Sequence, residues 1–239
     1  FFGLSGSPAY FHCRLCVQIA YVSPSYRSGG ENKTMTHLGI RVAIAPFLVV
    51  GGLWLHELIQ AQAGDPLFDI DNAMERSIPF LPWTIWIYFS FVIFIGSTVF
   101  RVEDSLFWRF VVSSSLAATI AWTIVLLLPI SFDRPDPALI DSEMYRRIYT
   151  FVHEADPFHI TFPSLHVGVT WICNFLLWDR SGRARRIVLG VAISLSTLFT
   201  KQHLVSDVVG GVLLAWFCVW LTGRYAHLLP YAEPQAERG

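Results

Sequence analysis

Six long runs of apolar residues constrain this chain more than any other feature of its sequence. They cover residues 42–59, 79–100, 110–129, 160–178, 187–200 and 204–221. A helix needs about 20 apolar residues to cross the ~30 Å hydrocarbon core of a bilayer, and most of the runs approach or exceed that length. The fifth run is shorter, but it continues through a polar corner into the sixth. The runs predict an all-α fold, a polytopic membrane protein with a six-transmembrane-helix bundle.

The overall composition agrees with a membrane protein. Hydrophobic residues make up 54% of the chain and charged residues only 15%, whereas soluble domains carry about 25% charged residues. The formal net charge is −1, so no basic excess indicates nucleic-acid binding. We therefore expect the bilayer as a partner, no nucleic acid, and an oligomeric state that the sequence leaves open.

The composition of residues 1–34 differs from that of the rest. They mix Ser, Gly, Pro, Cys and Tyr without periodicity, and Met35 is the first methionine. We expect 1–34 to be a disordered or mis-annotated N-terminal extension. Residues 35–225 are expected to form the membrane domain, and 226–239 a cytoplasmic tail.

Basic residues in the short loops predict the orientation in the membrane. If the segments alternate, one side carries most of them: Arg101, Arg109, Arg180, Arg183, Arg185, Arg186 and Arg224. Loops rich in Lys and Arg stay in the cytoplasm. The loops 60–78 and 132–159 and the corner at Lys201 would then face outward. This pattern predicts a multi-pass protein of the plasma (inner) membrane whose site faces the periplasm or the exterior.

The corner between the last two runs carries a candidate catalytic pair. His203 and Asp207 are four residues apart, so they share one face of a helix. A carboxylate that accepts from one imidazole nitrogen fixes the tautomer and leaves the other nitrogen as a nucleophile or base. The alternative is a satisfied structural pair between helices. Because an Asp in a spanning helix costs about 2.5–3.5 kcal/mol, such residues are usually functional.

Two further polar clusters fall on the same predicted face. Ser164 follows a proline at the start of the fourth helix, where the first amides and the helix dipole favour a phosphate. His166, in the first turn, can give a proton to a leaving oxygen. Arg134 and Lys201 supply positive charge for the phosphoryl oxygens. Taken singly, these residues also fit an interfacial histidine and snorkelling cations.

Two of these clusters resemble motifs of the type 2 phosphatidic acid phosphatase superfamily. The stretch Pro163-Ser-Leu-His166 is similar to its second motif. The stretch His203-x3-Asp207, followed by Gly210-Gly211, is similar to its third. The resemblance covers about residues 79–221 and includes the six-helix layout.

The sequence departs from the family pattern at two basic positions. Leu127 stands where the first motif has lysine, and Thr197 stands where the third has arginine. With leucine in the second motif and Lys201 beside the third, the chain looks more like the branch with inositol phosphorylceramide synthase-like enzymes. Lys201 would then replace part of the lost positive charge.

The resemblance implies a mechanism. His203 attacks phosphorus and forms a phosphohistidine, Asp207 orients it, and His166 protonates the leaving group. The residues implied in phosphate binding are Arg134, Ser164 and Lys201. No metal or other cofactor is required. Water then releases phosphate in a phosphatase, whereas an acceptor alcohol takes up the phosphorylated group in a phosphotransferase.

We therefore predict a lipid phosphatase that hydrolyses a phosphomonoester or diphosphate lipid, with a lipid phosphotransferase as the alternative. A transporter or channel is disfavoured because the polar groups gather at one membrane end. A metal hydrolase would use His159, His166, His203 and Asp207, but these lack the H-x3-H spacing of a helical zinc site. The loop residues His153, Glu154, Asp156 and His159 fit either a solvated loop or a lid.

Overall fold

The computed structural model describes residues 39, 41, 51–52, 54–62, 67–69, 73–155 and 162–226. The predicted extension 1–34, residues 42–50 of the first apolar run and residues 227–239 lie outside the described residues. The described part is helical apart from turns, loops and one two-residue pair of strands. This confirms an all-α fold.

The helices follow one another along the chain with short connections. Residues 54–62 are helical. The later helices are α1 (Ala73–Ser77), α2 (Ile85–Val99), α3 (Asp104–Leu127), α4 (Glu143–Ala155), α5 (Leu165–Leu176), α6 (Arg183–Phe199) and α7 (Val205–Arg224). Two 3-10 turns, Pro82–Thr84 and Pro137–Leu139, precede α2 and α4.

Three of the described helices are long and apolar enough to cross a membrane. They are Pro82–Val99, Asp104–Leu127 and Val205–Arg224. These helices match the second, third and sixth apolar runs. The helix at the third apolar run starts before that run, at Asp104, because an acidic residue in the first turn stabilises the positive helix end. The structure thus supports a membrane protein with three candidate spans, and the count of six stays a prediction.

The helices at the fourth and fifth apolar runs are shorter than a full span. α5 has 12 residues, which corresponds to a length of about 18 Å. Its start is delayed to Leu165 because Ser164 caps the helix there. α6 has 17 residues and begins with a strongly basic turn, Arg183-Ala-Arg185-Arg186.

α5 lies at the centre of the bundle, in contact with α2, α3, α6 and α7. Small residues allow α3, α5 and α7 to approach closely around one buried cluster, which includes Ala117, Ala121, Ile172, Ala215 and Cys218. Such residues let helix backbones come together where the bilayer supplies no hydrophobic driving force. The helix that carries Ser164 at its cap and His166 in its first turn is therefore packed against four other helices.

The long loop after α3 contains a helix that the sequence analysis did not predict. α4 places Tyr149, which is 1% exposed, against Ile85 and Ile140. The Tyr149 ring also meets Phe80 edge to face at 5.2 Å. This part of the loop is therefore a docked amphipathic helix rather than solvated coil. His153 is half-buried and Glu154 exposed on α4, while Asp156 and His159 lie outside the described residues.

A short parallel pair of strands joins two loops of the predicted outer face. β1 (Phe68–Asp69) pairs with β2 (Ile130–Ser131), with Phe68 opposite Ile130. The Leu67 N–H extends the pair by donating to the Pro129 carbonyl at 2.9 Å. The first predicted outer loop therefore contacts the segment that leads to Arg134.

Candidate active site

The structure brings His203 and Asp207 into contact at the start of α7. The His203 Nδ1 atom lies 3.4 Å from Asp207 Oδ2, and the Asp207 side chain is fully buried. This distance is longer than the ~2.7–2.9 Å of a charge-assisted hydrogen bond. The His203 Nδ1 atom makes no hydrogen bond with the described residues, and catalytic hydrogen bonds often tighten only in the reactive complex. The carboxylate therefore faces Nδ1, and the opposite ring nitrogen, Nε2, points away from it.

Asp207 is held in place by its own helix and by α5. Its Oδ2 atom accepts a hydrogen bond from the Leu204 N–H at 2.9 Å, which caps the first turn of α7. Its backbone carbonyl accepts from the Ser164 N–H at 3.1 Å. Because these bonds fix both the carboxylate and the backbone, Asp207 presents a rigid acceptor to the imidazole.

The corner before α7 is a Schellman motif that ends α6. The Lys201 N–H donates to the Leu198 carbonyl at 3.1 Å, and the Gln202 N–H donates to the Thr197 carbonyl at 3.0 Å. The His203 N–H donates to that same Thr197 carbonyl at 3.2 Å. In a Schellman motif, this pair of backbone hydrogen bonds satisfies the last carbonyls of the helix. The backbone of His203 is therefore fixed by α6.

Lys201 occupies the one position of this motif that favours glycine. Its φ angle is +53°, in the left-handed region, where a side chain costs roughly 1–2 kcal/mol. The Lys201 Nζ atom donates to the backbone carbonyl of Glu75 at 2.7 Å. Burial lowers the pKa of Lys201, and the nearby Glu75 carboxylate opposes that shift. A strained residue beside a reactive group supports a functional role for its side chain.

Ser164 is the N-cap of α5, as the sequence predicted for a helix start. Its buried hydroxyl oxygen accepts from the Val167 N–H at 3.3 Å. Leu165 and His166 follow as the first two helical residues, and amides in these positions have no acceptor within their own helix. The first amides of α5 thus lie at its positive end, where an anion is favoured.

His166 is held between two aromatic rings of α2. The Tyr88 ring stacks on it with centroids 4.1 Å apart, and the Phe91 ring lies 3.8 Å away on a tilted plane. The ring is close enough to His203 for an electrostatic interaction between the two. Its Nε2 atom is buried and has no hydrogen-bond partner among the residues that the structure describes. The clamp fixes the plane of the imidazole, and no motif in the sequence predicts it.

Two adjacent glycines allow the starts of α5 and α7 to meet. A Cβ atom on Gly211 would lie 2.6 Å from the Ser164 carbonyl oxygen, and one on Gly210 would lie 2.7 Å from the Phe162 ring. The backbone contact excludes a side chain at position 211, and a side chain at position 210 would require the Phe162 ring to shift. The Gly210-Gly211 pair therefore brings His166 and His203 to one end of the bundle.

Of the predicted site residues, Ser164, His166, Lys201, His203 and Asp207 gather around the starts of α5 and α7. Arg134 lies in a separate segment after β2, where its guanidinium sits 6.0 Å from the centre of the Phe132 ring. Within residues 73–155 and 162–226, no three His, Cys, Asp or Glu side chains converge as metal ligands would. His159 lies outside the described residues.

A family model described as the PAP2 superfamily matches residues 108–229, just over half of the chain. The chain belongs to the PAP2 superfamily. This superfamily includes phosphatases and phosphotransferases, and it acts on phosphorylated substrates. The matched range contains all the predicted site residues. No curated protein and no solved structure matches the chain. The resemblance found in the sequence is thus confirmed for the PAP2 superfamily, and the branch with inositol phosphorylceramide synthase-like enzymes stays a prediction.

Proposed function

We propose that the protein is an integral membrane lipid phosphatase that hydrolyses a phosphomonoester or diphosphate lipid through a phosphohistidine on His203. The observation that supports this most is the contact of His203 Nδ1 with the buried carboxylate of Asp207 in a member of the PAP2 superfamily. A carboxylate in that position fixes the tautomer with the proton on Nδ1 and leaves Nε2 free to attack. It also stabilises the positive charge that develops when Nε2 attacks.

The proposed reaction has two displacement steps at phosphorus. In the first, His203 Nε2 forms a bond to phosphorus, the bond to the leaving oxygen breaks, and His166 gives that oxygen a proton. In the second, His166 takes a proton from water, the water oxygen bonds to phosphorus, and the phosphorus–nitrogen bond breaks. Each step moves one proton through His166, so the enzyme returns to its starting state.

The phosphate site would combine backbone amides and cations. The first amides of α5 bind phosphoryl oxygens, and Ser164 holds that helix end in place. Arg134 and Lys201 add positive charge against the negative charge of the transferring group. No metal or organic cofactor takes part in this mechanism.

We also propose that residues 35–225 form a six-helix domain in the plasma (inner) membrane. Its active site would face the periplasm or the exterior. Three contacts support the prediction that the loops 60–78 and 132–159 and the Lys201 corner share one side. β1 pairs with β2, α1 contacts the Lys201 corner, and α4 packs against the start of α2. The basic first turn of α6 lies at the opposite end of α6 from the Lys201 corner. This agrees with a cytoplasmic location for the basic turn.

A lipid phosphotransferase is the second candidate, supported by the two missing basic residues. Thr197 is fully buried, and its hydroxyl donates to the Ser194 carbonyl at 2.7 Å, so it contributes no charge to the site. Leu127, at the end of α3, is exposed and apolar. A site with fewer cations suits a phosphodiester, which carries one negative charge, and an acceptor alcohol would then replace water.

The deciding experiment measures product release from purified full-length protein in lipid nanodiscs. Lipid phosphomonoesters, prenyl diphosphates and phosphodiester lipids are offered with and without long-chain alcohols. Free phosphate without added alcohol supports the phosphatase, and strict dependence on an alcohol supports the transferase. His203→Ala serves as the inactive control, and a radiolabelled phosphoryl group that is stable in alkali and labile in acid reports the phosphohistidine. Near-native turnover by His203→Ala would contradict both candidates.

A further inference from the structure

Glu75 is a buried acid in a loop that carries no motif of the superfamily. It belongs to α1, a helix of five residues that precedes the matched range 108–229. Glu75 is 9% exposed, while its neighbour Met74 is 57% exposed and Arg76 is exposed as well. A carboxylate is rarely buried in this way unless hydrogen bonds or an ion pair compensate for the lost hydration.

The partners of Glu75 lie on both sides of His203. The Glu75 Oε1 atom accepts a hydrogen bond from the Val205 N–H at 2.9 Å, at the first residue of α7. Its backbone carbonyl accepts from Lys201 Nζ at 2.7 Å. One residue of the first outer loop therefore holds both the end of the α6 turn and the beginning of α7.

The loop that carries Glu75 is anchored on either side of α1. Before α1, β1 pairs with β2, and Leu67 donates to Pro129 at 2.9 Å. After α1, the Leu81 N–H donates to the Phe199 carbonyl, the last residue of α6, also at 2.9 Å. Because both flanks are fixed by backbone bonds, α1 has a defined position from which Glu75 reaches the corner.

We propose that Glu75 is a positioning residue that holds the His203 corner in its reactive geometry. Its carboxylate acts through the Val205 amide, whereas its contact with the Lys201 ammonium is made by the backbone carbonyl, which every variant at position 75 keeps. The role rests on the proposed function of His203 as the nucleophile. The loop before α2 would thus complete a site whose recognised motifs all lie after it.

Two substitutions separate the hydrogen bond of Glu75 from its charge. Glu75→Gln keeps an oxygen that accepts from Val205, while Glu75→Ala removes it, and Met74→Ala is the matched control on the exposed side of α1. In full-length protein we expect Glu75→Ala to lower kcat roughly tenfold to a hundredfold with little change in KM, because a small misplacement of a reacting group has effects of that size. We expect Glu75→Gln to stay within about threefold of the wild type.

A second readout tests the same proposal without any substrate. Hydrogen exchange followed by mass spectrometry should show faster exchange in peptides that cover residues 201–208 of Glu75→Ala. The same peptides of Glu75→Gln and Met74→Ala should exchange as in the wild type.

The outcomes distinguish this proposal from the proposed function. If the wild type releases no phosphate from any lipid tested, the proposed function fails, and the exchange data still decide on Glu75. Glu75→Ala with wild-type exchange at 201–208 and wild-type kcat would overturn the positioning role. If Glu75→Ala has a lower melting temperature but an unchanged kcat per folded molecule, Glu75 only stabilises the fold, and the positioning role is overturned as well.

Discussion

The starts of α5 and α7 meet at one end of the bundle, but their first turns are capped by different chemistry. Two carboxylates cap α7, since Asp207 accepts from the Leu204 N–H and Glu75 accepts from the Val205 N–H. A neutral hydroxyl, that of Ser164, caps α5. Both turns carry the partial positive charge of a helix N-terminus. That charge is neutralised by acids at α7, and in the proposed mechanism it binds the phosphate at α5.

This difference implies a division of roles between the two helices in the proposed mechanism. The carboxylates at α7 fix the backbone around His203 and the orientation of its ring. The first turn of α5 offers two amides and carries His166 between the rings of Tyr88 and Phe91. A helix N-terminus is therefore not an anion site merely by its dipole, because the capping residues decide which charge it accepts.

The largest expected effect comes from removing the charge of the α7 cap. Asp207→Asn keeps an oxygen that can accept from the Leu204 N–H, but it no longer stabilises a positive imidazole. We expect kcat to fall roughly 10²–10⁴-fold, as for other oriented histidines that lose their carboxylate. Single-turnover measurements would show a slowed first step. A kcat within about twofold of the wild type would indicate that Asp207 acts only as a cap.

The comparison can be reversed by giving α5 the cap of α7. Ser164→Asp places a carboxylate at the proposed phosphate site, and Ser164→Asn is the matched neutral control of the same size. We expect the KM of the Asp variant to exceed that of the Asn variant about tenfold or more, because two negative charges a few ångströms apart repel. Equal KM values for the two variants would mean that phosphate does not bind at this helix end.

A smaller effect is expected from loosening His166 at the start of α5. Tyr88→Ala removes one face of the aromatic clamp, while Tyr88→Phe keeps the ring and removes only the hydroxyl. We expect kcat of the Ala variant to fall about tenfold, since the imidazole loses its fixed plane, and the Phe variant to retain it. The ratio of the two rates, measured on a lipid with a poor leaving group, tests the role of His166 as the acid. A similar loss for both variants would point to the hydroxyl instead.

Local signals in the sequence were enough to predict the catalytic pair of α7 and the start of α5. The four-residue spacing of His203 and Asp207 predicts a shared face, and the proline and serine before His166 predict a helix start. The capping of α7 by Glu75 could not be predicted, because the bond joins residues 130 positions apart. The clamp around His166 was hidden for another reason. Tyr88 and Phe91 lie in a run that is apolar on all sides, where hydrophobic periodicity marks no face.

Two other features were missed, one that has no signal in the sequence and one that has a clear signal. The turn at Lys201 adopts the conformation of a helix-ending glycine without having one, so nothing in the sequence marks a Schellman motif. α4 has an amphipathic pattern, with Tyr149 and Val152 buried one turn apart. This periodicity within the long loop would have predicted the helix.

The smallest expected effect concerns Lys201, the cation that Glu75 ties to the start of α7. Because burial lowers its pKa, the ammonium loses its proton at a lower pH than an exposed lysine would. Its attraction for phosphate is complete below that pKa and is lost as the pH rises through it, so KM should increase on the alkaline side. Lys201→Arg stays charged over this range, and we expect its KM to be flat and about threefold lower at high pH. Parallel pH profiles of KM for the two proteins would mean that the charge at position 201 does not contribute to binding, and the α5 amides would then carry the phosphate with Arg134 alone.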